Sequence, residues 1–90
     1  MNKPTELMID HMTYGALFPK CVNYMLKYRT GWCGIYLDKL YDDFISMINE
    51  DFKPNEQPVL IDLVDLIFDN LDQEKIEDAV LEQYENTRED

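Results

Sequence analysis

The sequence predicts an all-α fold, a small bundle of four or five helices. Three observations carry that expectation. Apolar residues recur at spacings of three and four over most of the chain, and no stretch alternates strictly enough to read as a strand. Glycine and proline fall between the periodic segments, at Gly15, Pro19, Gly31, Gly34, Pro54 and Pro58, so the breaks are short. Ninety residues suit one domain with a small core. The domain is read as residues 1–90, with a neutral, aromatic-rich half (1–53) and an acidic half (54–90).

The first helix starts near Pro4, with Thr5 as its cap and Leu7, Met8, Ile9 and Met12 as its apolar side; Gly15 ends or bends it. A second helix is expected from Pro19 to Arg29, since proline suits a first turn. Phe18, Val22, Met25 and Leu26 make its buried side. Thr30 to Gly34 reads as a break, a helix–helix corner or a hinge, with two glycines bracketing the only tryptophan, Trp32. The third helix runs from about Ile35 to Asp51, with Leu37, Leu40, Tyr41, Phe44, Ile48 and Phe52 on one face and Asp38, Asp42 and Asp43 on the polar side.

After a linker from Lys53 to Pro58, Val59, Leu60, Leu63, Val64, Ile67, Phe68 and Leu71 form a helix stripe. Ile61 and Leu66 lie off it, which predicts a helix wrapped on two sides by neighbours. Asp72 is the expected N-cap of a last helix, with Glu74 in its first turn, where negative charge suits the helix dipole. Ile76, Ala79, Val80 and Tyr84 make its apolar side, with Leu81 beside it.

Charge divides the chain. The formal net charge is −11; residues 1–45 hold five basic and five acidic residues, whereas 46–90 hold three basic and fourteen acidic. Asp62, Asp65, Asp69 and Asp72 follow spacings of 3, 4 and 3, and Glu74, Asp78, Glu82, Glu85 and Glu89 form a second row. Such offsets stack side chains on one face, where like charges cost a few tenths of a kcal/mol per pair. The rows therefore do not serve helix stability. A charge run is commonly just a solvated face, but such faces mix signs and these barely do. Phosphates would be repelled, which argues against direct nucleic-acid or anionic-membrane binding and favours a partner with a basic surface, of the kind found on nucleic-acid-binding proteins.

Catalytic and metal chemistry finds little purchase. His11, Cys21 and Cys33 are three soft ligands without paired spacing, so no metal or other cofactor is expected. Nothing places either cysteine beside His11 as a nucleophile pair, and three glycines make no phosphate loop. A non-enzymatic protein is the expectation. Two cysteines, no signal pattern and no apolar run of about 18 residues lead to the further expectation of a cytoplasmic protein with reduced thiols.

In size, helical pattern and acidic C-terminal half, the chain resembles the small phage-encoded inhibitors that imitate DNA, the anti-restriction and anti-CRISPR proteins. The resemblance covers mainly Leu60–Asp90 and rests on composition and spacing. It implies a host-cell cytoplasmic setting and a defence or nucleic-acid enzyme as target, with carboxylates standing where phosphates would. Those families often dimerise, and Trp32, Tyr24, Tyr28 and Tyr36 could supply a homodimer or partner contact. A second reading makes the chain an immunity- or antitoxin-like or regulatory module. In that reading the aromatic half carries the affinity, because tryptophan and tyrosine dominate interface hot spots.

Overall fold

The computed structural model describes residues 2–88. It contains five helices and, among the described residues, no strand: α1 (Lys3–Thr13), α2 (Phe18–Tyr28), α3 (Trp32–Asp51), α4 (Gln57–Asp69) and α5 (Gln73–Thr87). The all-α bundle predicted from the spacing is the fold observed.

Helix α1 begins one turn earlier than its expected cap. The Asn2 side chain caps it, accepting from the Thr5 backbone N–H at 2.9 Å. Thr5 lies inside the helix and is fully buried. Its hydroxyl donates to the Asn70 carbonyl at 3.3 Å and accepts from the Asp72 N–H at 2.9 Å, while the Asn2 amide donates to the same Asn70 carbonyl at 2.7 Å. The start of α1 thus satisfies the backbone groups that the α4–α5 corner leaves open. Gly15 follows α1 because nothing larger fits: an added Cβ would stand 2.7 Å from the His11 carbonyl oxygen.

The α2–α3 corner is a tight reversal. Thr30 N–H donates to the Tyr28 carbonyl at 2.6 Å across Arg29, whose φ of 62° and ψ of −54° make a γ-turn of the rarer, strained hand. Gly31 follows at φ 72° and is the N-cap of α3 without any side-chain bond. Trp32, Cys33 and Gly34 therefore belong to the helix rather than to a break. Asp72 caps α5 as expected, accepting from the Lys75 N–H at 3.3 Å.

Packing divides the molecule in two. Helices α1, α2, α5 and the first half of α3 form a body around Met12, Cys21, Met25, Trp32, Tyr36, Ile76 and Val80. The second half of α3 and α4 form an arm. Helix α3 is the one neighbour α4 packs against extensively, so the expected wrapping on two sides is not what occurs. Its inward residues are Leu60, Ile61, Val64 and Phe68, followed by Leu71 in the corner beyond it, all half-buried, whereas Val59, Leu63 and Ile67 of the expected stripe are exposed. The arm stretches the molecule to 50 × 26 × 21 Å, with a radius of gyration of 14.3 Å, against about 12 Å for a compact chain of this length.

Candidate acidic interface

Helix α5 buries Ile76 and Val80 against α1, α2 and α3. That choice turns Glu74, Asp78, Glu82 and Glu85 outward, and all four are exposed. Over eleven residues at 1.5 Å each the row spans about 16 Å. Glu89, expected to extend it, lies outside the described residues. Asp72 is half-buried and engaged as the cap of α5, a structural task that removes it from the outward row.

On α4 the outward carboxylates are Asp62 and Asp69. Asp65 is half-buried and accepts a short hydrogen bond from the Tyr41 hydroxyl of α3. The two acidic rows sit on helices with different packing neighbours, joined by the Asn70–Asp72 corner. Beside that corner is a cleft of about 320 Å³ between α3 and α4, lined by Asp38, Tyr41, Asp65 and Asp69 with Leu37, Phe68, Leu71 and Gln73. The hydrogen bond to Asp65 holds the Tyr41 phenol above its ordinary pKa; partial burial and the negative charges of Asp65, Asp69 and Asp42 push the same way.

Asp38 and Tyr41 were not singled out for the interface by sequence. Asp38 reads as an ordinary polar-face residue of α3 and Tyr41 as part of its apolar stripe; only the register between α3 and α4 sets them beside Asp65. The aromatic candidates are corrected more sharply. Trp32 is 2% exposed and Tyr36 is equally buried, so both are core residues and neither offers a surface contact. Tyr24 is half-buried against Tyr36, with ring centroids 4.9 Å apart, and Tyr28 is exposed.

Apart from Asp65 and Asp72, the carboxylates of the two rows have no hydrogen-bond or ion-pair partner among the described residues. Among the described residues one ion pair forms, Lys39 with Asp43 at 2.6 Å on the surface of α3, and it includes no member of either row. Arg88, a cation of the C-terminal half, lies over the Tyr84 ring at 5.8 Å. What the surface offers is an array of carboxylate acceptors with one exposed lysine, Lys75, beside the α5 row, suited to lysine and arginine side chains of a partner.

Other chemistry lies elsewhere or is muted. Both cysteines are free and fully buried, and burial pushes each thiol up to about 12, with Glu77 and Cys21 adding to the effect at Cys33. Thiols so placed are poor nucleophiles. His11 is exposed on α1. No three His, Cys, Asp or Glu side chains among the described residues are grouped so as to hold a metal ion. No helix among them is long and apolar enough to cross a membrane. Neither a family model, nor a curated protein, nor a solved structure matches the chain.

Proposed function

We propose that this chain is a non-enzymatic binding protein whose acidic surface occupies the basic, nucleic-acid-binding surface of a partner protein, as a phage-encoded DNA-mimic inhibitor does. The observation that carries this reading is the exposure of Glu74, Asp78, Glu82 and Glu85 on one face of α5, none of them in an ion pair among the described residues. Carboxylates one helical turn apart recur every 5–6 Å or so, on the order of the phosphate spacing along one DNA strand. The cleft of Asp38, Asp65 and Asp69 adds a recess for one long cationic side chain. Opposite fields would also speed the encounter. The alternative, an immunity-like module gripping through its aromatic half, has less support: of its four anchors Trp32 and Tyr36 are in the core, leaving Tyr28 exposed and Tyr24 half-buried.

The test is capture from a bacterial lysate on the immobilised chain, followed by elution with duplex DNA. Nucleic-acid-binding proteins should be retained and released by the duplex. The fourfold variant Glu74→Gln, Asp78→Gln, Glu82→Gln, Glu85→Gln should retain them at least about tenfold less well. If four carboxylates count as phosphates do, affinity falls roughly 100-fold between 50 and 200 mM salt. Retained proteins indifferent to duplex, to the fourfold variant and to salt would overturn the proposal.

A further inference from the structure

Helix α4 is apolar over most of its circumference, yet it buries no residue. Val59 is 62% exposed, Leu63 51% and Leu66 61%, and Ile67 is nearly as open. At 100° per residue these four share one face about 100° wide; Asp62 and Asp69 border it, about 40° and 60° from Leu66, and Asp65 lies about 100° from Leu66. The face does not stop at α4. Ile67 also lines a groove of about 650 Å³ whose other walls include Leu7 and Met8 of α1 and Leu40 and Phe44 of α3. Met47, also exposed, continues the wall three residues beyond Phe44.

Apolar side chains cover about 220° of this helix, more than one neighbour can bury, and among the described residues no further helix covers the rest. Six side chains (Phe44, Met47, Val59, Leu63, Leu66 and Ile67) leave on the order of 600 Å² exposed, at about 200 Å² for each if fully open. That reaches the upper end for the largest patch on a typical monomer, before the groove walls are added.

We infer that a second copy of this chain covers the surface, the α3–α4 arms of two protomers closing a four-helix bundle about a two-fold axis. Three observations select this occupant. The area approaches the roughly 800 Å² per partner of a standard interface, and a two-fold contact covers the same uncovered face on both chains at once. A small apolar ligand would fill the groove but leave Val59, Leu63 and Leu66, which do not line it, in water. The groove lining includes no carboxylate, so two chains of net charge −11 can meet over it with Asp62 and Asp69 left at the border of the contact. The inference is independent of what the acidic surface binds.

Sedimentation velocity on the full chain between about 1 and 200 µM tests it. A species of twice the 10.7 kDa chain mass is expected at the upper end. It should tighten when salt rises from 150 to 500 mM, because screening weakens the repulsion between the acidic chains. The double variant Leu63→Glu, Leu66→Glu should weaken dimerisation by roughly 100-fold or more. Helicity by circular dichroism at 1 µM should not change, since both side chains are more than half exposed in the single chain. Leu66→Cys should form an oxidised covalent dimer on which the buried native thiols have no bearing. A monomer at every concentration and salt would overturn the inference. So would a dimer unmoved by the double variant, which would put the contact elsewhere.

Discussion

Helices α4 and α5 are consecutive, of similar length and joined by a corner of three residues, yet they are used in opposite ways. The more apolar of the two, α4, buries no residue; the acidic one, α5, buries Ile76 and Val80 completely. The difference is the number of neighbours. Helix α5 packs against α1, α2 and α3, so a narrow stripe suffices to reach a shared core, whereas α4 packs extensively on α3 alone among the described helices and much of its apolar surface stays open. Burial follows from how many elements converge on a helix, and apolar content says only how many it could serve. The body is thus fixed within one chain, while the arm carries surface for others.

The largest test of this contrast is a pair of truncations measured by denaturant unfolding near 1 µM, where the chain should be monomeric. Ile76→Ala removes a fully buried side chain and should cost about 3 kcal/mol, whereas Leu63→Ala should stay within about 0.5 kcal/mol. Equal losses would erase the distinction. Alkali should act next, and most strongly through the body, because both thiols lie there. Their folded pKa of about 12 exceeds the ordinary 9.0, so the folded state holds protons that the unfolded state releases. Stability should be intact below pH 9 and fall as pH rises from 9 towards 12, by about 1.4 kcal/mol per unit for each thiol once the unfolded thiols have ionised. Unfolding midpoints across that range should flatten in Cys21→Ala, Cys33→Ala relative to their own value at pH 8. The smallest effect is expected at Tyr36, whose buried hydroxyl meets no hydrogen-bond partner among the described residues. Tyr36→Phe should be neutral or stabilise by up to about 1 kcal/mol; a clear loss would reveal a polar role for the body that packing does not show.

The body was largely legible because its helices carry one narrow stripe each and local signals at their ends. Asp72 and Glu74 mark the start of α5, and Ile76, Ala79, Val80 and Tyr84 can face only one way. The start of α3 was misplaced for the converse reason: Gly31 caps it through a left-handed backbone and offers no side-chain oxygen, so the glycines read as a break. Thr5 has the chemistry of a cap and spends it on a corner 65 and 67 residues away. Helix α4 defeated the pattern because apolar residues cover more than half of its circumference; periodicity then permits several inward faces, and only the position of α3 decides among them. The outward row of α5 followed from its stripe, whereas the Asp38–Tyr41–Asp65 cleft needed the pairing of two helices that no local spacing encodes.

The bonds from Thr5 to Asn70 and Asp72 also bear on how the chain is made. A growing polypeptide presents α1 first, but the groups that saturate its buried hydroxyl appear only 65 and 67 residues later, and the α5 side chains that seal the body appear later still. Local helices can form early, whereas closure waits on long loops. Until α5 leaves the ribosome, α1 has only its smaller contact with α2, so the earlier helices should be held together loosely and the whole body should lock in a single late event.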